Sequence, residues 1–173
     1  MDKKTIVSLV VIIIGVGGLV WWSKSVENKD LSANVLTDSH PARIGDTLTA
    51  PETFYDFGTI SMKNGNVSKI FKVTNSTGAD IKVPSLTTSC MCTNAYILSA
   101  DGSKRGPFGM PGHGGAVPKA NAMIRSGESM DIEVVYDPNA HGPAGVGLIE
   151  RSVFIEDEDN KIIEFKIKVN VTP

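Results

Sequence analysis

Between Ile162 and Val171 the side chains alternate without a break. Ile163, Phe165, Ile167, Val169 and Val171 are apolar, and Glu164, Lys166, Lys168 and Asn170 are polar. A period of two puts one set on each face of a strand, whereas on a helix both would scatter around the axis. The pattern predicts a half-buried strand. Ser129 to Tyr136 repeats it, with Met130, Ile132, Val134 and Tyr136 inward and Asp131 and Glu133 outward. Ile149 to Glu156 gathers Ile149, Val153 and Ile155, and the acidic run Asp157-Glu158-Asp159-Asn160 reads as a solvated hairpin tip. Earlier, Phe54 to Ile60, Ile70 to Thr74 and Ile81 to Val83 are short β-prone runs. The turn signals Lys63-Asn64-Gly65-Asn66 and Asn75-Ser76-Thr77-Gly78 separate them. About seven short strands divided by turns predict an all-β domain over residues 51–173, an immunoglobulin-like antiparallel β-sandwich.

The front of the chain follows another pattern. Thr5 to Trp22 carries no charge and is mostly Ile, Val and Leu. As a helix it would extend about 27 Å, close to the hydrocarbon thickness of a bilayer. Lys3 and Lys4 precede it, and Trp21-Trp22 close it at the level of an interfacial aromatic belt. Residues 1–22 therefore predict one N-terminal transmembrane helix with its lysines inside. Everything after it is expected outside the cytoplasm, with the membrane as a partner. Ser23-Lys24-Ser25 is a poor small-x-small site, which disfavours a cleaved signal peptide. Residues 23–50 read as a polar linker.

Charge and motifs then remove function classes. A net charge of −2 offers no footprint for nucleic acid. The glycine-rich segment after residue 100 lacks the Gly-Lys-Ser/Thr of a phosphate loop. The acidic run near Asp157 lacks the alternating ligands of a calcium loop. No nucleophile comes with a recognisable base and orienting partner, so the expectation is a non-enzymatic protein.

Two cysteines carry the remaining chemistry. Cys90 and Cys92 flank Met91 and are the only thiols of the chain. On an extended strand they would share a face with Cα atoms about 6.6–6.8 Å apart. That suits a bridging disulfide poorly, yet both sulfurs could turn towards one ion. Three readings stay open: packed, unreactive thiols; a redox pair; or a soft-metal site. The spacing is not the Cys-x-x-Cys of thioredoxin-like oxidoreductases. Residues 99–126 form a Gly/Pro-rich stretch expected to lack regular structure, and it carries Met110 and His113. Thiols with imidazole suit Cu(I) or Zn(II), and a thioether shifts the preference to Cu(I). The candidate metal set is thus Cys90, Cys92, Met110 and His113. Met110 and His113 are equally readable as a solvated loop. His141, shortly after the strand ending at Tyr136, reads as a turn residue; a ligand role is open to it but has no spacing behind it.

A resemblance runs through the same residues. Tyr55-Asp56-Phe57-Gly58-Thr59-Ile60, Phe71-Lys72-Val73-Thr74-Asn75-Ser76-Thr77-Gly78 and Thr88-Ser89-Cys90-Met91-Cys92-Thr93 follow one another in order. Arg125-Ser126-Gly127-Glu128 and Val135-Tyr136-Asp137-Pro138 come after them. Together they resemble the signature blocks of a bacterial family known as domain of unknown function 1573. That family is related to the Ig-like modules of hydin and abnormal-spindle proteins. Met91 stands where the family usually has glycine, and the stretch after the cysteines is longer than usual. The resemblance implies an Ig-like sandwich, usually exported, and brings no established activity to carry over. The functional expectation is a membrane-tethered extracytoplasmic module that binds an envelope protein partner or serves envelope structure. The alternative is a Cu(I)-handling protein.

Overall fold

In the computed structural model of the chain, the described residues are 42–44, 48–99, 101–112 and 116–173. Twelve strands form among them: β1 Ala42–Ile44, β2 Leu48–Ala50, β3 Phe54–Ser61, β4 Val67–Asn75, β5 Ile81–Val83, β6 Ser85–Thr88, β7 Thr93–Leu98, β8 Lys104–Phe108, β9 Ala122–Ile124, β10 Ser129–Tyr136, β11 Gly147–Glu156 and β12 Ile162–Thr172. One sheet has the order β1-β2-β4-β10-β7-β8, a second the order β3-β12-β11-β6, and β5 and β9 pair as a separate ribbon.

The two large sheets bury the faces that the alternation marks. In β12, Ile163, Phe165, Ile167, Val169 and Val171 are buried while Glu164 and Lys166 are exposed. In β10, Met130, Ile132, Val134 and Tyr136 are buried. Phe71 of β4 stacks on Phe165 of β12 across the interior, with ring centroids 4.6 Å apart and planes 18° from parallel. Each fully buried ring contributes about 1.5–3 kcal/mol of apolar transfer, so this contact anchors one sheet on the other. The result is an Ig-like β-sandwich.

Several expectations need correcting. The sandwich is not wholly antiparallel, because β3 pairs parallel with β12, from Lys166↔Phe54 to Thr172↔Ser61. Almost the whole domain separates those two strands in sequence, so no tight turn dictates their direction. The linker does not reach residue 50. Leu48 and Ala50 of β2 are fully buried, and β2 pairs with both β1 and β4. Three-residue strands are too short to show a period, which is why a polar linker was the simpler reading.

The stretch 99–126 is not free of regular structure either, since it contains β8 and β9. β8 runs beside β7 with an irregularity between Ala95 and Ile97. There Gly106 has φ +142°, and a Cβ on it would lie 2.9 Å from the Ala95 carbonyl oxygen. Glycine permits that approach and so extends the sheet. Asp157 is buried rather than solvated, its carboxylate accepting the backbone N–H groups of Asp159 and Lys161 at 2.9 Å. The expected transmembrane helix over residues 1–22 lies outside the described residues. Among the described residues no helix is long and apolar enough to cross a membrane.

Candidate metal centre

The strand expected for the cysteines is a turn. β6 ends at Thr88 and β7 begins at Thr93. Between them the Thr93 N–H donates to the Cys90 carbonyl at 3.1 Å and closes a four-residue turn. The Thr88 hydroxyl supports it by donating to the Cys90 and Thr93 carbonyls, at 3.1 and 2.9 Å. Ser89 docks the turn on β11: its N–H donates to the Ser152 carbonyl, and its hydroxyl accepts the Ser152 N–H, both at 2.9 Å. This curvature brings Cys90 Sγ and Cys92 Sγ to 3.0 Å from each other, far closer than an extended strand would. Cys92 is fully buried and Cys90 half-buried, while Met91 points outward at 47% exposure.

Two further groups converge on the sulfurs. β10 pairs with β7, with Tyr136 opposite Thr93, and the ladder continues as the Asp137 N–H donates to the Cys92 carbonyl at 2.8 Å. The loop leaving β10 therefore lies beside the turn entering β7. His141, on that loop, brings Nε2 to 3.1 Å from Cys90 Sγ. Gly145 is buried against it, and a Cβ there would lie 3.3 Å from the His141 Cβ. From the second sheet, Arg151 of β11 donates from Nε to Cys92 Sγ at 3.2 Å, and its NH1 donates to the Glu150 carbonyl at 2.7 Å.

The two thiols are pushed apart in acidity. Burial works against ionising Cys90, but the Cys92 thiol, the Cys92 backbone, His141 and the Arg151 charge outweigh it and bring Cys90 down to about 6. Burial raises Cys92, and its hydrogen bond to Cys90 raises it further, although Arg151 and Thr93 oppose the rise. At neutral pH the pair is thus a thiolate on the outside receiving a hydrogen bond from a thiol on the inside.

Cys90 Sγ, Cys92 Sγ and a His141 ring nitrogen lie within 4.8 Å of one another, a donor set for a soft ion. Two thiolates about 2.3 Å from one ion stand roughly 3.8–4.0 Å apart. The sulfurs would open by a little under 1 Å, which the half-buried Cys90 can supply. A disulfide would need them about 1 Å closer, and it has no use for the third donor.

The set differs from the one expected. Cys90 and Cys92 are together. Met110 is half-buried after β8 and is not among the hydrogen-bonding groups that reach either sulfur, and His113 lies outside the described residues. Arg151 was missed, and His141, which reads in the sequence as a turn residue first and a ligand second, takes the third place. Arg151 left a signal, since it takes the inward register of β11 between Ile149 and Val153, where a charge needs a partner. His141 left one only through pairing: whichever strand lies beside β7 must deliver its following loop to the cysteines.

No family model matches the chain, and no curated protein does. Solved structures do resemble it. A Porphyromonas gingivalis W83 protein of unknown function is 15% identical with a TM-score of 0.52. The match covers 80% of this chain and 51% of that protein, so the chain spans about half its length. That likeness shows the fold alone. A PapD-like domain of human CEP192 is 12% identical over 83% of this chain and 97% of its own, with a TM-score of 0.47. The secreted serine protease VesC from Vibrio cholerae is 14% identical over 75% of this chain and 24% of its own, with a TM-score of 0.45.

Proposed function

We propose that this chain is a membrane-tethered, extracytoplasmic Ig-like module that binds Cu(I) through Cys90, Cys92 and His141. The single observation that carries the reading is the convergence of two thiols and an imidazole from two separate loops on one point. Burial alone would pack one cysteine against apolar neighbours. It gives no reason for a second sulfur at 3.0 Å and an imidazole at 3.1 Å. Such donors suit Cu(I) or Zn(II), and three of them fill the shell of a low-coordinate Cu(I) while leaving a four-coordinate zinc one short. The module is non-catalytic in this reading, and its tether is the uncharged run from Thr5 to Trp22. The ordered motif blocks favour membership of the bacterial family named above, whose members are usually exported.

The test is competition for Cu(I) between the reduced, full-length chain and a chromophoric chelator, without oxygen. Cys90→Ser and Cys92→Ser should each abolish tight binding, and His141→Ala should weaken it by about tenfold or more. Wild-type affinity no greater than that of the double serine variant would leave an Ig-like module that acts by binding an envelope protein.

A further inference from the structure

Among the described residues no carboxylate answers the charge of Arg151: the ion pairs occupy other cations, and no acidic oxygen lies within 4.0 Å of this guanidinium. Nor is the side chain free in solvent. It sits half-buried in the inward register of β11, fixed by NH1 on the Glu150 carbonyl, with Nε aimed at Cys92 Sγ. A permanent cation held in place against a sulfur stays balanced on metal binding only if the occupied site is an anion.

We infer that Arg151 is a specificity-determining residue that selects a monovalent soft cation over a divalent one at the Cys90–Cys92–His141 site. This rests on the metal-binding reading. Two thiolates and a neutral imidazole around Cu(I) carry one net negative charge, which the guanidinium compensates. The same ligands around Zn(II) carry none, and the guanidinium then faces the ion with nothing to offset it. The two complexes differ by one unit of charge at a fixed short distance from Arg151. The ratio of the two affinities therefore isolates its effect, because the metal-free protein is common to both. Zinc would otherwise be served by two thiolates and an imidazole with water in the fourth place, so the ligands alone do not make the choice.

The experiment measures Cu(I) and Zn(II) affinities of the reduced full-length chain by anaerobic chelator competition, using each metal alone. Arg151→Gln should lower the Cu(I)-over-Zn(II) ratio by about tenfold or more. Arg151→Lys keeps the charge without the planar fork, so its ratio should stay nearer to wild type. Arg151→Met keeps the apolar stem and serves if the glutamine variant does not fold. A ratio unchanged in the neutral variants, in a chain that still binds Cu(I), would overturn the role of Arg151 and leave the metal site standing. Wild-type chain binding neither metal would remove the site itself.

Discussion

Cys90 and Cys92 have the same side chain and opposite surroundings, and that difference is measurable. Cys90 at about 6 is ionised at neutral pH, while Cys92, raised by burial and by its bond to Cys90, keeps its proton. Alkylation of the metal-free chain by iodoacetamide should therefore show a fast thiol whose rate is half-maximal near pH 6. Because ionisation creates the nucleophile, the rate falls as pH drops through that value. Cys90→Ser should remove the fast phase and leave only the slow reaction of the buried Cys92 thiol. A single inflection at 8.5–9 in the wild type would show that the bonds from the Cys92 thiol and backbone, His141 and Arg151 do not converge on Cys90 in solution. The cysteines themselves were plain in the sequence. Their third partner was not, because His141 stands 51 residues from Cys90 and meets it only through the β7–β10 ladder. Spacing rules favoured Met110 and His113, which are nearer in the chain. Tertiary pairing does not follow chain distance.

At the scale of elements, β12 is the clearest case of pattern becoming structure. Phe165 is fully buried and Lys166 exposed, one residue apart. Phe165→Ala should cost about 3–5 kcal/mol in denaturant unfolding, and Lys166→Ala within about 0.5 kcal/mol. Equal effects would place the strand in the wrong register. β10 was equally legible, since its bounds Ser129–Tyr136 are those of the alternating run. The short strands were hidden for a physical reason. β2 and β9 have three residues each, and the glycines and prolines around β8 usually mark loops. Their strand character comes from the neighbour they pair with rather than from their own sequence. The cysteine turn was hidden in the same way. Thr88 is a good strand residue, and its side chain and that of Ser89 hold the bend only because the backbone carbonyls of the turn and Ser152 are there to bond them.

For the whole molecule, the proposed function needs both a tether and a metal site on one chain. If Lys3 and Lys4 hold the N-terminus inside, protease added to intact spheroplasts should remove the domain, and a protected domain would reverse the orientation. A mature N-terminus found near Val26 would show cleavage of the leader instead. The central claim is the Cu(I) site, and X-ray absorption of the Cu(I)-loaded full-length chain tests it most directly. The account predicts two sulfurs and one nitrogen at about 2.0–2.3 Å, with the nitrogen lost in His141→Ala. A nitrogen that persists in that variant, or a shell of sulfur alone in the wild type, would contradict it.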